Sequence, residues 1–234
     1  MKICFIIAMQ AEAQPFIDRY GVTEEEGFFA PLPCRLYHTV LNGHELDIVL
    51  NGQQHGSDLI GCEAASVATM AAIQALHPDL VINSGTCGAW QKNGAHIGDV
   101  YVANGAMFHD RRVSGDDAWG TQSIGNYTVS DRSSEIASAL GYKMGKVTTG
   151  SSLDLQPCDA RIIEENNGEL KDMEGAAVAF VCSLYGIPIL LVKSVTDLCD
   201  SGAETYEEFK KNLSLASHNI ADAVARIIAY LTQN

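Results

Sequence analysis

Three acidic residues, far apart in the chain, stand where they could act together on one small molecule. Glu174 opens a helix predicted over 173–185, whose small-residue face is Gly175, Ala176, Ala177 and Ala179. Asp197 follows Thr196 at the end of a predicted buried strand over 187–195, in which Ile187, Ile189, Leu190, Leu191 and Val192 make an apolar run. Glu12 follows a buried strand over 2–8 and stands early in a helix that runs to about Tyr20. Carboxyl groups gathered in one hollow can serve as general acid, general base and hydrogen-bond acceptor for a bound ligand. Each also has a plainer reading. An acid in the first turn of a helix complements the helix dipole, and one at the end of a strand can cap or turn.

The elements that must position these acids can be read in order. Residues 34–41 and 46–50 alternate around Asn42-Gly43, a hairpin signal, and 51–57 read as a polar loop. An alanine-rich helix is expected over 58–76, closed by His77-Pro78, then a strand over 79–84 and a tight turn at Gly85-Thr86-Cys87-Gly88. A strand over 97–103 precedes a long polar connection over 108–125. A helix over 131–140, a strand over 143–149 and a helix near 158–166 follow. The last helix, over 204–231, has Phe209, Leu213, Ala216, Ile220, Val224 and Ile227 at helical spacing. Strands alternate with helices, so the class is α/β with a largely parallel sheet. Several strands end in polar or glycine-bearing residues: toward Glu12, at Thr86-Gly88, at Ser151-Asp154 and at Asp197. Ligands of open α/β sheets sit outside the carboxyl ends of the strands. If the strands are parallel neighbours, these tails converge on one pocket.

Composition narrows the class of ligand. The chain has 234 residues, 47% of them hydrophobic and 19% charged, with a formal net charge of −14. Such an acidic balance opposes binding to nucleic acid or to anionic membranes and suits a neutral small molecule. No apolar run reaches transmembrane length, and MKICFIIAMQAE reads as a first strand rather than a targeting segment. Seven cysteines without a CxxC pair point to reduced thiols and a cytoplasmic location. Neither a metal nor a cofactor is called for by any Cys and His spacing.

The segments AMQAE at 8–12, NSGTCG at 83–88, FHD at 108–110, DMEGAAVA at 172–179 and SVTD at 194–197 carry a resemblance. In this order and spacing they resemble the 5′-methylthioadenosine/S-adenosylhomocysteine nucleosidases of the purine nucleoside and uridine phosphorylase superfamily. The wording AMQAEAQP, FHDRR and KDMEGAAVA is similar to the plant-type branch. The resemblance implies a single domain over 1–234, a three-layer α/β/α fold with a central mixed, largely parallel sheet. It also implies hydrolysis of the N-glycosidic bond of 5′-methylthioadenosine, with S-adenosylhomocysteine and 5′-deoxyadenosine as further substrates, in methionine salvage.

The same resemblance assigns roles. Asp197 would protonate adenine N7, Glu12 would activate the water, and Glu174 beside Met173 would accept from the ribose 2′- and 3′-hydroxyls. Its place at a helix start favours an ionised Glu174. Thr86, with Cys87 and Gly88, would lie near the sugar and water, and Thr196 beside Asp197. Leu153 would wall the adenine and the backbone of Asp154 would read it. Phe209 would cover the purine, with plain core as its other reading. Met9 and Ile60 would line the 5′ side. The segment around His109–Val113 would reach the 5′ pocket of a second copy, making a homodimer. Lys193 stands where many members have arginine and Thr196 where many have serine, and residues 113–126 do not match the family closely. Two other readings remain: a phosphorylase on the same fold, and a non-catalytic nucleoside-binding or storage relative. Against the first, no arginine follows the first strand until Arg19; against the second, all three acids are present.

Overall fold

The computed structural model describes residues 1–113 and 118–233. In chain order the elements are β1 (Lys2–Ile7), α1 (Gln10–Tyr20), β2 (Thr23–Glu24), β3 (Arg35–Leu41), β4 (His44–Leu50), β5 (Gln53–Gln54), β6 (Ser57–Asp58), α2 (Cys62–Leu76) and β7 (Leu80–Ala89). Then come β8 (Val100–Phe108), α3 (Ala118–Ile124), α4 (Arg132–Leu140), β9 (Lys143–Thr149), α5 (Pro157–Glu165), β10 (Leu170–Asp172), α6 (Gly175–Tyr185), β11 (Ile189–Leu198) and α7 (Thr205–Gln233).

Nine strands form one mixed sheet in the order β10-β9-β8-β11-β7-β1-β4-β3-β2. The central pairs β11–β7, β7–β1 and β1–β4 are parallel, while β8 runs antiparallel to β11. Strand β10 also pairs back onto β7, so that end of the sheet curls toward closure. Helices cover both faces. On one, Phe16 and Ile17 of α1, Ile136 of α4 and Ile220, Val224, Ile227 and Ile228 of α7 pack on Ile3, Phe5, Ile82, Leu190 and Val192. On the other, Ala65, Ala68 and Ala72 of α2 and Ala176, Ala177 and Val178 of α6 pack on Cys4, Ile6, Val81 and Leu191. Alternate residues of each central strand therefore serve opposite cores, which explains their unbroken apolar runs. The small residues of α2 and α6 let those helices pack together.

Several expectations change. Residues 85–88 are not a turn: β7 runs on through Ala89, paired with β11 on one side and with Leu170 and Lys171 of β10 on the other. The glycines there serve close approach of neighbouring side chains instead. The loop at 51–57 contains the short hairpin β5–β6, and α2 begins at Cys62 rather than 58. Strand β8 spans Val100–Phe108, later than the expected 97–103. Within the expected connection over 108–125, α3 is helical, and residues 114–117 lie outside the described residues. The hairpin at Asn42-Gly43 is present, with φ of 51° and 79°, the left-handed pair that a two-residue turn requires.

Candidate active site

Strand β7 is the floor against which the acids are set. A Cβ on Gly85 would lie 3.2 Å from Glu12 Oε1, and one on Gly88 would lie 2.6 Å from Asp197 Oδ2 and 2.9 Å from Cys199 Sγ. A side chain at Gly88 would collide with the Asp197 carboxyl, and one at Gly85 would press on that of Glu12. The two anchor points are three residues apart, roughly 10 Å along an extended strand.

Glu12 is 5% exposed, in the first turn of α1. Its Oε1 accepts from the Thr86 N–H at 2.7 Å and the Thr86 hydroxyl at 2.8 Å, and its Oε2 from the Met9 N–H at 3.3 Å. Burial pushes its pKa above the usual carboxylate range; the Thr86 N–H and the nearby Lys193 charge pull it back.

Asp197 sits where the register of β11 against β7 shifts between Val195 and Asp197. Such a bulge re-aims the side chain that follows it. The Thr196 hydroxyl lies 2.8 Å from Asp197 Oδ1 and 3.2 Å from the carbonyl oxygen of Cys87. That hydroxyl has one proton, and a carbonyl can only accept. The hydroxyl donates to the nearer Asp197 Oδ1, with the Cys87 carbonyl as a longer second acceptor. Burial raises the Asp197 pKa, opposed by the Thr196 hydrogen bond and by Lys171.

Glu174 precedes α6, at its N-cap, and makes no capping bond there. Asp172 does that work: its Oδ2 accepts from the Gly175 N–H at 2.8 Å, and its Oδ1 from the Thr149 hydroxyl, which itself accepts from the Ala176 N–H at 2.8 Å. Glu174 is thereby released toward the pocket, where Oε1 accepts from the Gly61 N–H at 2.8 Å. The helix start is expected to favour the ionised form, but the other surroundings of Glu174 oppose it. Burial and the adjacent Asp172 charge push its pKa up, to about 7, against the pull of Lys193. Lys193, 1% exposed, pairs through Nζ with Asp172 Oδ2 at 2.8 Å and keeps its proton, since Asp172, Glu174 and Glu12 outweigh the cost of burial.

Of the residues singled out from the sequence, Met9, Glu12, Ile60, Thr86, Cys87, Gly88, Leu153, Met173, Glu174, Thr196, Asp197 and Phe209 line this one pocket. Phe209 is half-buried and belongs to the pocket lining rather than to either core. Its helix is held to the end of β11 by Glu208 Oε2, which accepts from the Leu198 N–H at 2.9 Å, and by Asn212 Nδ2, which donates to the Thr196 carbonyl at 2.9 Å. Asp154 is not in the lining; it is exposed, and its carboxylate accepts from Gln156 Nε2. Ala8, Lys171, Asp172 and Tyr206 also line the pocket without having been singled out as site residues, and Lys193, noted from the sequence only as a departure from the family, pairs with Asp172. Lys193 had left a signal: a single cation inside an apolar strand implies a buried partner.

The hollow can do specific chemistry. It presents one carboxyl in a setting that favours the proton, one held by three hydrogen bonds, and a third near a cation, around apolar walls of Met9, Ile60, Leu153 and Phe209. The phosphorylase superfamily model matches residues 2–229. A 5′-methylthioadenosine nucleosidase of Arabidopsis thaliana is 38% identical, over 98% of this chain and 87% of its own. A 5′-methylthioadenosine/S-adenosylhomocysteine nucleosidase of the same plant is 36% identical, over 98% of this chain and 91% of its own. The solved apo structure of Arabidopsis thaliana 5′-methylthioadenosine nucleosidase superposes with a TM-score of 0.94 at 38% identity, covering 98% of this chain and 95% of that one. The chain therefore belongs to the phosphorylase superfamily, and within it to the 5′-methylthioadenosine/S-adenosylhomocysteine nucleosidases.

Proposed function

We propose that this protein hydrolyses the N-glycosidic bond of 5′-methylthioadenosine, releasing adenine and 5-methylthioribose, a step of methionine salvage. The observation that carries the reading is the setting of Glu12 and Asp197 against two glycines of one strand, with Glu174 lining the same hollow. Asp197, whose pKa burial raises, gives a proton to adenine N7 as the bond from the anomeric carbon breaks. Glu12, fixed by Thr86 and Met9, takes a proton from the attacking water. Glu174 accepts from the ribose hydroxyls. The transition state resembles an oxocarbenium ion, as in other glycoside hydrolysis. The apolar 5′ side, Met9 and Ile60, suits a methylthio group, and S-adenosylhomocysteine and 5′-deoxyadenosine are the further substrates to compare.

Phosphorolysis fits less well. Among the described residues no arginine lines the pocket, and Lys171 there already serves two carbonyls. Carboxyl groups where phosphate would attack repel it. Adenine release from methylthioadenosine is expected to run at the same rate with and without inorganic phosphate. A requirement for phosphate overturns hydrolysis.

The whole chain acts as one domain in this reading, its free thiols suit the cytoplasm, and the working form is a homodimer. Val67 and Met70 of α2 and Phe180, Leu184 and Tyr185 of α6 are exposed apolar residues on two helices that pack together, joined by Gln74 Nε2 donating to the Tyr185 hydroxyl at 2.8 Å. A patch of this kind favours association. His109 is buried in its own chain, so any reach into a partner's 5′ pocket starts beyond it, where Val113 is exposed. Sedimentation equilibrium is expected to give twice the chain mass, and a monomer at micromolar concentration would refute the dimer.

A further inference from the structure

Among the described lining residues Lys171 alone is cationic, and it is 6% exposed. Its Nζ donates to the carbonyl oxygens of Ser152 at 2.7 Å and Leu153 at 2.9 Å. The same loop is held from the other side, where the Ser151 N–H donates to Asp110 Oδ2 at 2.6 Å. Across the sheet, Lys171 pairs with Gly88 of β7, and Gly88 pairs with Asp197 of β11. The lysine and the acid are thus two strand spacings apart, roughly 10 Å between backbones, with a glycine between them. No side chain at that middle position separates their charges.

We propose that Lys171 is a positioning residue of the purine end. It ties the loop that carries Leu153 to the pocket floor, and its ammonium offsets the charge that Asp197 acquires on giving up its proton. The inference rests on the reaction proposed above. In that step the carbon–nitrogen bond breaks with its electron pair going to adenine, the proton passes from Asp197 to N7, and the negative charge is left on Asp197. A buried carboxylate is costly unless a cation faces it.

The groups facing Asp197 come from four elements. They are the Thr196 hydroxyl on β11 and Cys199 just beyond that strand, Cys87 on β7, Glu208 on α7, and Lys171 on β10. Glu208 disfavours the carboxylate form and Lys171 favours it. Beyond Lys171 lies His109, buried and kept neutral by that burial and by the lysine's own charge, so it adds no second cation.

The test is the pH profile of kcat and kcat/KM for adenine release from methylthioadenosine in wild type, Lys171→Met, Lys171→Gln and Lys171→Arg, with thermal melts to confirm folding. Glutamine keeps a donor for the loop carbonyls and loses the charge. In both Met and Gln variants the alkaline limb of kcat/KM is expected to move up by roughly one pH unit, with kcat about tenfold lower. The Met variant adds a higher KM, and the Arg variant brings the limb back. An unmoved limb in Lys171→Gln overturns the charge role, and equal KM values for Met and Gln overturn the loop tie. Failure of the underlying reaction has another signature, since wild type itself would then release no adenine.

Discussion

Asp197→Asn is expected to lower kcat for adenine release by roughly 10²–10⁴-fold, equivalent to about 3–5 kcal/mol of transition-state stabilisation. Asparagine keeps the shape of the side chain beside Thr196 and can hydrogen-bond its hydroxyl, but it has no acidic proton for the leaving purine. The fold should not suffer. Burial raises the Asp197 pKa in the folded protein above its unfolded value, so wild type loses stability as pH rises from the ordinary carboxylate range through the folded pKa. Asparagine does not titrate. The variant should match wild type in acid and be at least as stable at neutral pH, by thermal melts across pH. Retention of wild-type turnover would remove Asp197 from the role of acid.

Glu12→Gln is the second large effect, expected to cost a similar roughly 10²–10⁴-fold in kcat. The amide oxygen of glutamine can still accept from the Thr86 N–H and hydroxyl, and only the long bond from the Met9 N–H is lost, since an amide nitrogen cannot accept. What is lost is basicity toward water. Calorimetric titration should therefore find methylthioadenosine still bound while adenine release has stopped. If the variant turns over at the wild-type rate, or fails to bind, Glu12 is not a base acting on bound substrate.

Much of the fold is legible because the central strands are apolar on both faces. The runs at 2–8, 79–84 and 187–195 correspond to β1, β7 and β11, which lie side by side. What misled was glycine. Gly85 and Gly88 have the composition of a turn, yet they sit in an extended strand, because the need they meet is room for two carboxyl groups from elsewhere. Strand β10, three residues long, has no periodicity of its own, so Lys171 and Asp172, although within the KDMEGAAVA motif, were given no role, and both line the pocket.

By itself the sequence determined which elements form and which acids end or begin them, because periodicity, capping and turn chemistry act over a few residues. Tertiary structure alone decided the setting of each carboxyl. Asp172 caps α6 and balances Lys193, freeing Glu174 for the pocket, and burial raises the Asp197 pKa. Those outcomes depend on burial and on charges brought in by distant strands, and the ionisation of a carboxyl responds to its surroundings in space rather than along the chain.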